Sequence, residues 1–202
     1  MLIRKTGGNV LLISLVASFL GSGALAVQLS RQEGDRFQRK IEEITKNGSA
    51  RPVKSRKTVI SENEVNSYLA FNGVDKIPQG LANPQITILG DGWLAGRVLL
   101  DLDEFKRARA SRGVMDPFNY VSGQVPLTAR GVLRTQEGKG RFQLDSAEIH
   151  KVRLPKVLVQ ELVTFFSRTP ENPRGFDLDA PFDLPAKIHE LVINRGEAVV
   201  VQ

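Results

Sequence analysis

The stretch Leu154–Arg168, LPKVLVQELVTFFSR, limits what this chain can fold into more than any other. Pro155 suits the first position of a helix, where no backbone N–H is needed. At about 100° per residue, Leu158, Val159, Leu162, Val163, Phe165 and Phe166 share an arc of roughly 160°. Gln160, Glu161, Thr164 and Ser167 occupy the remainder. The run falls short of the ~20 residues that cross a bilayer, so protein or an apolar ligand has to cover it. Burying this face, with Val157, is worth on the order of 10–20 kcal/mol before entropy is subtracted. A flat sheet touches a narrower stripe than this. The expectation is a strongly curved sheet wrapped around the helix, with part of the arc either core or lining a cavity.

The rest of the chain supplies such a sheet. PQITILG alternates at Ile86 and Ile88, and Asp91-Gly92 is a hairpin turn signal. WLAGRVLLDLDEF follows, with Val98, Leu100 and Leu102 on one face and Arg97, Asp101 and Asp103 on the other. VSGQVPLTARGVLRT and GRFQLDSAEIHKVRL read as long strands joined by QEGKG, with Val125, Leu127, Val132, Phe142, Leu144 and Ile149 as core positions. KIHELVINRG and EAVVVQ form a last strand pair after a turn-rich segment. Ser61 and Glu64 make a capping-box pair at the start of a helix from Glu62 to about Phe71. Val65, Tyr68 and Leu69 give that helix an apolar face. Tight turns rather than helices join most strands, so the fold class is α+β with a mainly antiparallel sheet.

The N-terminus reads as an export signal. Arg4 and Lys5 precede the apolar run Val10–Gly21, and Ala24–Ala26 offers a small-x-small cleavage site. Residues 1–26 are expected to be a signal peptide and the product extracytoplasmic, periplasmic or secreted; a retained anchor is the other reading. Cysteine is absent, which removes disulfides, thiolate metal sites, a thiol nucleophile and a lipidated anchor. The formal charge of +6 falls to +4 without Arg4 and Lys5. That is too mild for a dedicated nucleic-acid binder.

Residues 27–58 divide into a charged helix and a basic linker. Phe37, Ile41 and Ile44 form a narrow stripe over residues 28–47, which either docks an envelope partner or packs lightly on the domain. Asn47–Thr58 holds Gly48, Pro52 and several cations without an acid, as a linker does, and NGS matches a glycosylation sequon. Residues 59–202 are expected to form one domain.

No chemistry stands out. His150 and His189 lack the companions a zinc site needs. Asp101, Asp103 and Glu104, and Asp177, Asp179 and Asp183, match neither a glycosidase pair nor a calcium loop. No nucleophile elbow, P-loop or dinucleotide fingerprint is present. The chain is therefore read as a non-enzyme without cofactor or metal.

GQVPLTARGVL, LPKVLVQELV and FDLPAKIHELVINRGEAVV, in this order after a capped helix, resemble the tubular lipid-binding (TULIP-like) half-module of bacterial envelope proteins. The resemblance covers residues 58–202 and lies in element order and the Leu-Pro entries. It implies a lipid or other apolar small molecule between helix and curved sheet, and no catalytic residues. The expected lining is Leu158, Val159, Leu162, Val163 and Phe166. Arg107, Arg109 and Arg112 would meet headgroups in a peripheral membrane contact. The alternative is a structural or interaction module of the envelope with a dry core.

Overall fold

A computed structural model of the chain describes residues 28–108, 118, 122–170 and 172–202. The export signal read in residues 1–26 lies outside the described residues, as do Arg109 and Arg112. In chain order the elements are α1 (Arg31–Ser49), β1 (Lys57–Ser61), α2 (Glu62–Phe71), a 3-10 turn (Val74–Lys76), β2 (Leu81–Gly90), β3 (Trp93–Asp101), α3 (Leu102–Ala108), β4 (Gln124–Gln136), β5 (Lys139–Ile149), β6 (Val152–Arg153), α4 (Lys156–Phe166), β7 (Phe182–Asp183), β8 (Glu190–Asn194) and β9 (Glu197–Val201). The architecture is α+β with antiparallel sheets. The larger sheet runs β2-β3-β4-β5-β6, with β7 also on β5, and the smaller runs β1-β9-β8. Asp91-Gly92 and Glu137-Gly138 turn their hairpins with positive φ at both residues, the combination that matches strand twist.

The register across β3 and β4 pairs Val98 with Leu127 and Leu100 with Val125, and β5 adds Ile149 opposite Leu127. These positions share one face because side chains alternate along a strand. Leu100, Val125 and Ile149 are buried with Leu102, Phe105, Phe118, Leu158 and Leu162. The opposite face carries Arg97, Thr128, Arg130 and Glu148.

The wide apolar arc of α4 is covered piecemeal. The helix has 11 residues, three turns, and the sheet beside it is not strongly curled. Leu158 and Leu162 enter the cluster around Phe105, while Val159 joins Ala147 and Leu178. The breadth of the arc comes from two different neighbours, α3 on one flank and the chain around Phe176–Leu178 on the other. Gln160 fastens that second cover by accepting from the Leu178 N–H and donating to the Phe176 carbonyl. The helix stops as the Ser167 hydroxyl donates back to the Val163 carbonyl and accepts from the Phe176 N–H.

Two other sequence expectations are corrected. The strand expected to continue to Phe105 ends at Asp101, whose carboxylate accepts from the Asp103 and Glu104 N–H groups and caps α3. A cap at the strand end competes successfully with further pairing. The helix α2 does form with its capping box, but its buried residues are Glu64, Asn66, Ser67 and Tyr68, largely polar. Asn66 exchanges two hydrogen bonds with the Ile86 backbone and Glu62 accepts from the Ile88 N–H, so α2 closes the outer edge of β2. Strand edges left open invite association, and here side-chain amide and carboxylate groups replace the missing neighbour.

The charged helix α1 is packed into the same body. Ile44 is buried with Ile60, Leu184, Ile188 and Val200, and Phe37 meets Tyr68 edge-to-face at 5.2 Å. Gly48 allows the end of α1 to lie on the loop at Ala186, whose backbone carbon would stand 2.5 Å from any added Cβ. Asn47 of the sequon is engaged as well, donating to the Lys54 carbonyl and to Gln202 Oε1. Gln202 itself is 5% exposed and donates to the Ile44 and Ala186 carbonyls. Gln202→Ala removes these bonds and strands two carbonyls, so a loss of about 2–3 kcal/mol is expected in urea unfolding.

Candidate functional site

None of the hollows described below is lined by Leu158, Val159, Leu162, Val163 or Phe166. Leu158, Val159 and Leu162 are 8%, 3% and 2% exposed and are held by other side chains. Val163 and Phe166 are half-buried, Val163 against the Ala147 cluster and Phe166 stacked near Phe105 with ring centroids 6.3 Å apart. Arg107 is exposed on the last turn of α3. Its neighbour Asp103 accepts from the Gly123 N–H, and this bond, with Lys106 beside it, holds the Asp103 carboxyl below its ordinary value.

An apolar cleft of about 530 Å³ lies elsewhere, at the corner formed by α2, the 3-10 turn and the first half of β2. Leu69 and Ala70 come from the last turn of α2, Val74 and Ile77 from the turn, and Leu81, Ala82 and Pro84 from β2. Leu29 enters from the residue before the Ser30 cap of α1. Of thirteen lining residues nine are apolar and none is charged, and this separates the cleft from its rivals. The hollow by α4 includes Arg174 and Asp177, and the groove beside β8 includes Asp91, Arg134, Arg141 and Glu190. The dent on the polar sheet face holds Arg97, Arg130 and Glu148.

Local sequence explains the opening. Asn83 adopts a positive φ of 50° and Pro84 follows it, and the β2–β3 register shifts between Ala82 and Gln85. Pro84 has no N–H to offer a ladder, so the strand bows and leaves a hollow against α2. Asn66, on the polar side of the cleft, is already committed to the Ile86 backbone. Val74 in the cleft wall is 56% exposed, and Phe71, the last residue of α2, is 37% exposed. Arg31 lies over the Phe71 ring at 5.5 Å, and Lys76 donates to the Tyr68 hydroxyl at 2.6 Å, which raises its pKa. A volume in the ligand range with mostly apolar walls and a few polar groups suits an acyl chain or comparable molecule.

The acidic clusters are dispersed. Asp179 pairs with Lys156 and Asp183 with Lys139, while Asp101 is a helix cap. Among the described residues no group of three or more His, Asp or Glu side chains is placed to hold a metal ion. Sequence reasoning missed the cleft because its walls come from four short segments, none of which is periodic over more than a turn. The Asn-Pro pair at 83–84 inside an alternating run was the available signal, since such a pair argues against regular pairing. Comparison of the chain with protein-family models, with curated proteins and with solved structures found no match.

Proposed function

We propose that this chain is an exported, non-enzymatic envelope protein that holds a lipid or other hydrophobic molecule. The site in this reading is the cleft between α2 and β2, and the observation that carries it is a hollow of about 530 Å³ whose lining is mostly apolar and uncharged, with Val74 in its wall exposed. The resemblance to tubular lipid-binding half-modules supports the ligand class. In place of one long helix wrapped by a strongly curved sheet, α2 and α4 would each cover part of the same sheet, and the ligand would sit on the α2 side. Arg107, Arg109 and Arg112 would remain headgroup contacts at the α3 end.

The test is uptake of a fluorescent fatty acid in the absence of vesicles. Ala70 is exposed on α2, so Ala70→Glu is tolerated by the fold and places a carboxylate over the cleft. Its apparent affinity is expected to fall about tenfold or more, the equivalent of ~1.4 kcal/mol. Unchanged affinity in a folded Ala70→Glu protein would count against this site. An interaction module using residues 28–47 is the second reading. It would rely on the charged outer side of α1, at Arg39, Glu42 and Lys46, because Phe37 and Ile44 face the domain.

A further inference from the structure

The dent on the polar face of the larger sheet is built around one small side chain. Ala95 stands in a cross-strand row between Thr87 of β2 and Arg130 of β4, with Ser146 of β5 beyond. The next row on the same face reads Gln85, Arg97, Thr128 and Glu148. Ala95 is shorter than its neighbours in both rows, and a hollow of about 360 Å³ lies among them. Arg97 and Arg130 are diagonal neighbours across β3 and β4, with Cβ atoms about 7 Å apart. One oxyanion between them can take hydrogen bonds from both guanidinium groups, which are rigid, charged donors.

The cations of this face have no anion of their own. Farther along it Arg134 and Arg141 oppose each other directly across β4 and β5, and Arg153 of β6 ends the Glu148 row. All five arginines are exposed. Like charges directly opposite one another repel, yet the ion pairs of the described residues lie elsewhere. Of the acids on these strands, Asp101 is the α3 cap, while Glu148 and Asp145, the latter at the β4–β5 register shift, pair with none of these arginines.

The remaining groups choose among anionic partners. None of the exposed large apolar side chains of the described residues stands on this face, so a bilayer finds nothing to insert. Nucleic acid would set an unbroken phosphate run against Glu148 and Asp145, and Arg130 already lies over the Trp93 ring at 4.4 Å, where a base would stack. A sugar carries hydroxyls that donate as well as accept, which suits Glu148 beside Thr87, Thr128 and Ser146. We propose that this face binds an acidic polysaccharide, with a carboxylate or sulfate held between Arg97 and Arg130, ring hydroxyls on Glu148 and the threonines, and the chain running along β4 and β5 toward Arg134 and Arg141. Neither the α2 cleft nor a lipid enters into this site.

The protein, expressed from its full-length sequence, would be titrated by calorimetry at low salt with polygalacturonate and with dextran sulfate, two arms that separate carboxylate from sulfate recognition. Trp93 is the only tryptophan and lies under Arg130, so its emission reports occupation of the dent. The expected result is binding of at least one acidic glycan with a change in Trp93 emission, and none of neutral dextran. The Arg97→Gln, Arg130→Gln double variant should bind about tenfold more weakly or worse. Ala95→Gln, which fills the dent at constant charge, should weaken binding as well. Lys54→Gln with Lys57→Gln removes the same charge from exposed positions at β1 and should change affinity less than about twofold. No binding of either glycan overturns the site, and so does an equal loss in the two double variants or an unchanged affinity in Ala95→Gln. Single-stranded DNA or phosphatidylglycerol vesicles bound as tightly as the glycans would overturn the choice of a polysaccharide.

Discussion

Leu162→Ala is expected to lower the unfolding free energy by about 3–4 kcal/mol while leaving fatty-acid affinity unchanged in the folded protein. Leu162 is 2% exposed and stands where α4 meets Leu100, Phe105 and Ile149. Truncation there removes transfer energy and leaves a hole that neighbours on three elements cannot close together. In a domain of this size the midpoint of thermal unfolding should drop by roughly 10 °C. Leu162→Arg, which places a charge in the same position, should yield no folded product. The affinity half of the prediction is the informative one. If Leu162→Ala weakened or strengthened uptake with little change in stability, the α4 face would be lining a ligand site after all.

Glu64→Ala is the second large effect, at about 3 kcal/mol of destabilisation. Glu64 is 2% exposed and accepts from Lys40 Nζ at 2.6 and 2.8 Å and from the Ser61 N–H at 2.8 Å. One substitution thus removes half of the α2 capping box and leaves Lys40, whose side chain is 26% exposed, without its carboxylate. Removing one partner of a buried pair costs more than the pair contributes, because the survivor keeps its desolvation. Residual exposure of Lys40 places the effect toward the lower end of the range for such pairs. Equilibrium urea unfolding of wild type, Glu64→Ala and the Lys40→Met, Glu64→Ala pair would check this. The double variant should recover part of the loss, since no unpaired charge remains.

These two residues also show where sequence was informative. Hairpins at Asp91-Gly92 and Glu137-Gly138, the C-terminal strand pair, the capped α2 and the helix at Leu154–Arg168 are all local signals, and each is found at its place. Periodicity stated that the α4 face must be buried, but it could not name the cover. The cover comes from α3 and from Phe176–Leu178, the latter joined to α4 by Gln160, a residue that sequence assigned to the water side. The buried side of α2 was hidden for a related reason. Apolar spacing does not see an amide that replaces a strand, and Asn66 and Glu62 turn toward β2 because its edge needs partners. Asp101 and Glu104 carried a readable D-x-x-E pattern, but alternation through Leu100 and Leu102 favoured a longer strand. The cleft was the least legible, because Leu29, Leu69, Val74 and Leu81 meet only after α1 has docked on α2 through Gly34.

Packing of α1 bears on function in the same way. Its apolar stripe is covered by the domain, and Gln202 and Asn47 lock its C-terminal end. A helix held at both ends fixes Leu29 at the rim of the cleft, so the wall nearest the N-terminal segment is a rigid one.

The most direct test of the central claim is mass spectrometry of an organic extract from the protein expressed from its full-length sequence, collected after export by the cells and purified without detergent. The account predicts a stoichiometric acyl-chain lipid from the wild type and a depleted extract from Ala70→Glu. An empty wild-type extract, together with no fatty-acid uptake, would contradict it.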